Sequence, residues 1–154
     1  MAENKTQKKC IVEILPGIFL GNKYSSSNHD LLKSLQIKYI VNVGGGKNAF
    51  EGDGIRYHKI VIADRSDVSI LPYLEEACDY VHHSLTNGHV LIHCRGGFSR
   101  SPTVLIAYLI KYHEMSFAEG LALVKSKRSC VQPNATFIDD LKCFEKSLRA
   151  GQLT

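Results

Sequence analysis

Val90-Leu91-Ile92-His93-Cys94-Arg95-Gly96-Gly97-Phe98-Ser99-Arg100-Ser101 is the stretch on which the reading of this chain turns. The apolar triplet Val90–Ile92 is short and closed by polar residues, which is the pattern of a buried strand. A polar, glycine-containing stretch follows, and then Thr103 to Tyr112, apolar nearly all round and therefore predicted to be the central buried helix. A strand that feeds a helix through such a loop can turn its backbone N–H groups into one concavity. With the positive end of the helix behind them, those groups make an anion site. Gly96 and Gly97 let the backbone turn sharply there without a Cβ clash.

Outward from this segment, strands and helices alternate. Ile11 to Leu20 reads as two short strands around the turn Pro16-Gly17. Ser25 to Ser27 offer N-caps for one helix running through Leu35. Tyr39–Val43 is a buried strand stopped by Gly44, Gly45 and Gly46, and a further strand runs from Tyr57 to Ile62 and ends at Ala63-Asp64. Pro72 suits the first turn of a helix that carries Leu74, Ala77, Cys78, Val81 and Leu85 inward and closes at Gly88. Ser116 and Glu119 form a capping box for the next helix, and Pro133-Asn134 opens the last one. The expected architecture is α/β, a central mixed, mostly parallel sheet of about five strands with helices on both faces. In such sheets ligands bind beyond the carboxyl ends of the strands.

A length of 154 residues with 44% hydrophobic content fits one compact core. Residues 1–10 are expected to be a flexible segment and 11–150 a single catalytic domain. The polar start MAENKTQKK lacks the apolar core of a signal peptide, Ala2 is not a myristoylation glycine, and the run Val104 to Ile110 is too short to cross a bilayer. A soluble intracellular protein, cytoplasmic or nuclear, is expected, with no membrane partner. Five scattered cysteines (Cys10, Cys78, Cys94, Cys130, Cys143) argue for free thiols. The formal charge of +4 is mild and the basic residues are spread out, so no nucleic-acid partner is expected. Lys125, Lys127 and Arg128 read as a solvated helix end.

Chemistry concentrates in the loop. Cys94 opens it and Arg100 closes it six positions later, a length that can curl around a tetrahedral phosphate while the Arg grips two oxygens bidentately. Loop amides and helix end favour thiolate over thiol, the nucleophilic form of cysteine. One cradle thus activates a nucleophile and binds an anion, with Arg95, Gly96, Gly97, Phe98, Ser99 and Arg100 around the phosphate. Phe98 reads either as a lip of the pocket or as a packing plug. Other signals carry less. Gly44-Gly45-Gly46-Lys47 lacks the spacing of a nucleotide-binding loop and reads as a turn. Cys78 and His82, four apart on a helix, read as a core thiol and a surface imidazole rather than a metal pair.

Cys-x5-Arg, preceded by His93 and followed by Ser101, resembles the signature of the protein tyrosine phosphatase superfamily, and HCRGGFSRSPTVLIAYLI is similar to the small, atypical dual specificity phosphatases. EILPGIFLGN, LQIKYIVNVG, IVIAD and PNATFIDDL extend the resemblance from about Val12 to Leu148. It implies a phosphotyrosine-phosphatase-like fold, phosphorylated protein substrates, phosphotyrosine and phosphoserine or phosphothreonine alike, and no metal or organic cofactor. It also implies roles: Cys94 as nucleophile, Arg100 as phosphate clamp, Asp64 as general acid and then base (with Asp67 the runner-up), and Ser101 as donor to the departing thiolate. His93 would order the loop. Asn134 would support the active-site loops, while its plainer reading is the N-cap of the last helix. The rival readings are a phosphoinositide or RNA 5′-phosphatase of the same superfamily, a phosphate-binding pseudophosphatase, and a sulfurtransferase. Physiological substrate and oligomeric state carry no signal in the sequence.

Overall fold

A computed structural model describes residues 10–152. Of the expected flexible N-terminal segment, residues 1–9 lie outside the described residues. Cys10 belongs to the folded part, since its carbonyl accepts a hydrogen bond from Asn22 N (3.0 Å).

The sheet has five strands, β1 (Ile11–Leu15), β2 (Ile18–Gly21), β3 (Ile37–Val43), β4 (Arg56–Ile60) and β5 (His89–His93). Their spatial order is β1-β2-β5-β3-β4. The β1–β2 hairpin is antiparallel and turns at Gly17, whose φ of +81° lies in the left-handed region that glycine tolerates. The pairs β2–β5, β5–β3 and β3–β4 are parallel. The sheet is therefore mixed and mostly parallel, as its alternating pattern of elements requires.

β5 lies at the centre and shows why a strand here must be apolar on both sides. Val90 and Ile92 pack into the larger core, whereas Leu91 packs into the smaller one with Phe19, Leu32, Ile37, Ile40 and Ile55. The larger core is covered by α3 (Leu71–Ser84), α4 (Arg100–Tyr112), α5 (Phe117–Lys127) and α6 (Ala135–Gln152). Residues Ser101 to Ile110 of α4 are all buried, which accounts for the apolar run from Val104 to Ile110.

Three details differ from the sequence reading. The helix expected from Ser25 to Leu35 is two short ones, α1 (Lys23–Ser26) and α2 (His29–Ser34). Their caps are Asn22 and Asn28, whose side-chain oxygens accept from backbone N–H groups one turn on, so the serines at 25–27 are interior or linking residues. β4 ends at Ile60, two residues early, because the chain leaves the sheet to run beside the loop that follows β5. α4 begins at Arg100 rather than Thr103, which puts Arg100 and Ser101 in its first turn.

α3 has no side-chain cap of its own. Its start is held from a distance by the buried carboxylate Asp140 of α6, whose Oδ2 accepts from Ser69 Oγ (3.0 Å), Ile70 N (2.8 Å) and Leu71 N (3.3 Å). A carboxylate at a helix N-terminus satisfies donors that the helix itself cannot. Asp140→Ala is expected to lower stability by about 1–3 kcal/mol, the cost of stranding buried donors, and Asp140→Asn, which keeps an acceptor, by less. Urea denaturation of the two variants measures both; equal losses would assign the effect to packing instead.

Candidate active site

The loop after β5 is built by where its carbonyls go. The Arg95 carbonyl accepts from Lys23 N (3.1 Å) and the Phe98 carbonyl from Gln132 N (2.7 Å). Between them, Arg128 donates from Nε to the Gly97 carbonyl (2.8 Å) and from Nη2 to the Gly96 carbonyl (3.3 Å). Four consecutive carbonyls are thereby tied to groups outside the loop. Gly97, at φ +72°, completes the curl. A Cβ there would stand 2.8 Å from the Gly21 carbonyl oxygen and 2.8 Å from Arg128 Nη2, so no other residue fits.

Cys94 is 4% exposed at the bottom of the curl. Its Sγ accepts from Gly97 N (3.2 Å) and lies 3.1 Å from Ser101 Oγ in the first turn of α4. The Arg100 guanidinium is held by the Ile62 carbonyl (Nη1 donating, 2.9 Å) and lies against Gly44, where a Cβ would come within 3.0 Å of Nη1. Cys94, Arg95 and Arg100 share a cleft of about 300 Å³ whose far wall is Gly44 and Gly46. That wall is braced by Asn42, whose Nδ2 donates to the Gly46 carbonyl and to Asn48 Oδ1 (both 2.8 Å).

On the other side of the loop, Asp64 Oδ1 accepts from Ser99 Oγ (2.8 Å) and from Asn134 Nδ2 (2.8 Å). Ser99 Oγ in turn accepts from Asn134 N (3.1 Å). Asn134 Oδ1 also accepts from Phe137 N (2.9 Å). The Asn134 side chain caps α6 with its oxygen and holds Asp64 with its nitrogen. Asp67 instead pairs with Arg65 in solvent, at 63% side-chain exposure. Phe98 is 46% exposed and its ring covers Gly96, where a Cβ would stand 2.3 Å from the ring edge, so it is not a packing plug.

Match to the model for the dual specificity phosphatase catalytic domain extends over residues 18–147. This chain belongs to the dual specificity phosphatase family. It is similar to Dual specificity protein phosphatase 1B of Arabidopsis thaliana, 36% identical over 144 residues that cover 93% of this chain and 86% of that one. It is likewise similar to Dual specificity protein phosphatase 26 of Bos taurus, 34% identical over 146 residues, covering 90% and 69%. The crystal structure of human DUSP28 matches the fold with a TM-score of 0.85 at 26% identity, covering 90% of this chain and 95% of that one. The protein is a dual specificity protein phosphatase, a hydrolase.

Two contributors to this dual specificity phosphatase site escape the sequence reading. The sequence pattern puts Arg128 at a solvated helix end, yet the residue leaves α5 in an extended conformation (φ −140°, ψ 93°) and turns back to the loop. Gly44 reads as part of a plain turn, yet it makes room for Arg100. Neither role is visible locally, because each residue meets its partner only across the fold. Cys78, by contrast, lies in the core as expected, with burial pushing its thiol far up, and exposed His82 stacks on Tyr112 at 4.0 Å. Arg128→Met is expected to keep the fold but loosen the loop, lowering kcat/KM by about ten- to hundredfold, as small misplacements of reacting groups do. Turnover of p-nitrophenyl phosphate beside a thermal melt measures this, and an unchanged kcat/KM would show the loop closed without it.

His93 is 6% exposed, and burial pushes its imidazole down to about 4, opposed only by a long contact (3.4 Å) from Nδ1 to the Cys94 carbonyl. His58 is shifted the same way by burial, offset by Glu76. A buried neutral histidine takes up its proton on unfolding once the pH falls below about 6.5. The unfolded chain then binds more protons than the folded one, so stability is full above about pH 6.5 and declines as the pH drops toward 4. His93→Gln should flatten that decline. Urea midpoints at about pH 7 and about pH 5 measure the slope, and an unaltered slope would assign the acid loss to another group.

Proposed function

We propose that this phosphatase works through a phosphocysteine intermediate formed on Cys94. The observation that carries the reading is the meeting of Cys94 Sγ, the Gly97 N–H that points at it, and the Arg100 guanidinium in one cleft. A substrate phosphoryl group would lie over Sγ, its equatorial oxygens on loop amides and Arg100, where developing charge is stabilised without reorganisation.

In the first step the Cys94 thiolate attacks phosphorus in line and the phosphorus–oxygen bond to the side chain breaks. The electron pair goes to the leaving oxygen, which takes a proton from Asp64. In the second step Asp64 removes a proton from water, the new oxygen–phosphorus bond forms, and the phosphorus–sulfur bond breaks to return the thiolate and inorganic phosphate. The Ser101 hydroxyl, 3.1 Å from Sγ, donates to the sulfur as its charge returns. Ser99 and Asn134 are positioning residues for Asp64, since both bond the same carboxylate oxygen and leave its partner oxygen for the proton. Phosphorylated proteins are the substrate class, with phosphotyrosine and the shorter phosphoserine and phosphothreonine both admitted.

Cys94→Ser is expected to abolish release of p-nitrophenol from its phosphate. Asp64→Asn should lower kcat by about a hundredfold or more with a leaving group that needs a proton, while affecting p-nitrophenyl phosphate less. Rapid-quench capture of a ³²P-labelled protein in the wild type, absent in Cys94→Ser, is the direct test; a label that persists in Cys94→Ser would sink the mechanism.

A further inference from the structure

A second cavity, of about 740 Å³ against about 300 Å³ for the cleft over Cys94, lies at the opposite end of the sheet. It opens where β3 and β5 begin, between α2, the turn Glu51–Asp53 and the turn that leads from α3 into β5. His89 in its wall stands five residues before Cys94, about 16 Å along an extended chain. None of the residues around it takes part in the chemistry above.

Two lysines, Lys33 of α2 and Lys38 of β3, and two imidazoles, His29 and His89, line this cavity with a single carboxylate, Asp53. Among the described residues no ion pair engages either lysine or Asp53. The wall is nonetheless built. His89 donates from Nδ1 to the Leu35 carbonyl (2.9 Å), which fixes its ring, and among the described residues its Nε2 has no hydrogen-bond partner. The His29 ring is held by stacking on Phe50, with 4.6 Å between centroids. The Lys38 stem lies along Gly88, where a Cβ would stand 3.1 Å from both its Cβ and its Cδ. A stem laid flat on the wall in this way leaves its ammonium at the solvent side of the cavity.

Lysines without an acid partner in a concave wall concentrate anions there. Asp53 limits what else the anion carries. A carboxylate repels a second acid group, but it accepts strongly from a hydroxyl. The buried side chains Ile37 and Ile55, which also line the cavity, add apolar surface for the body of a ligand.

We infer that this cavity is a second binding site, for a small phosphorylated molecule that also carries hydroxyl groups. A sugar monophosphate and a nucleoside monophosphate share that chemistry. The phosphate lies among the cations of the wall and a hydroxyl bonds Asp53. The site is separate from the catalytic loop, so the inference stands or falls independently of the phosphocysteine reading.

Amide NMR on the full chain separates the two sites, since Gly54 and Gly88 line this cavity while Gly96 and Gly97 belong to the catalytic loop. Cys94→Ser serves as the background, so that the probes are not consumed. Glucose 6-phosphate or AMP should shift Gly54 and Gly88 with half-saturation below about 1 mM, and glucose and adenosine should not. Inorganic phosphate should bind there at least about fivefold more weakly than the better ester. Lys33→Gln combined with Lys38→Gln should weaken the ester about tenfold while the shifts at Gly96 and Gly97 persist, which also shows that the variant is folded; arginine at both positions should keep the binding. Asp53→Ala should weaken the ester and leave inorganic phosphate no weaker. Probes that move only Gly96 and Gly97, or binding that survives both glutamines, would overturn the site. Inorganic phosphate as tight as both esters, or esters indifferent to Asp53→Ala, would overturn the ligand class. A glutamate-rich peptide that saturates Gly54 and Gly88 at lower concentration than either ester would assign the cavity to protein docking, against the inference.

Discussion

Everything in the site depends on four peptide groups facing the right way. The carbonyls of Arg95, Gly96, Gly97 and Phe98 are each tied outward, to Lys23 N, Arg128 and Gln132 N. A peptide plane whose carbonyl is held on one side presents its N–H on the other, so these bonds aim the amides at the sulfur and at whatever anion lies over it. The chain uses backbone dipoles because they are uncharged when the site is empty. An equal field made of side-chain cations would carry the cost of mutual repulsion.

The Asp64 carboxylate belongs to a segment with no regular structure. Residues 61–70 contain no helix or strand, and Asp64 is exposed. Beside Ser99, what holds the segment is the start of α6, through three side chains within about two turns: Asn134 on Asp64, Thr136 Oγ1 on the Ser66 carbonyl, and Asp140 on Ser69–Leu71. A helix is stiff, so an irregular loop bonded along its length inherits that stiffness. Thiol and carboxylate thus reach the site by separate routes, one through β5 and the other through α6, and Ser99 joins them.

Much of this arrangement is legible in the order of the residues. The apolar triplet Val90–Ile92, the glycines and the apolar run that follows specify strand, loop and buried helix, because their periods and lengths admit little else. The capping box Ser116–Glu119 appears as read, with both reciprocal bonds formed. Boundaries are less legible. Asn22 and Asn28 cap where serines also could, and which of several capping residues is used depends on how α1 and α2 pack on the sheet. The resemblance ranks Asp64 ahead of Asp67; in the fold Asp64 is bonded to Ser99 and Asn134, 35 and 70 residues away, while Asp67 pairs with Arg65.

The sequence by itself determined the class of fold and the kind of chemistry, since hydrophobic period and a Cys-to-Arg spacing that closes around an anion are properties of neighbouring residues. Tertiary structure alone decided which groups complete the site. Arg128, Gly44, Asp140 and Lys23 sit in ordinary local contexts, a helix end, a turn, a helix interior and a short polar helix. They acquire their places because packing the helices on the sheet brings them against the loop and the segment beside it, and a contact between residues far apart in the chain leaves no periodic trace along it.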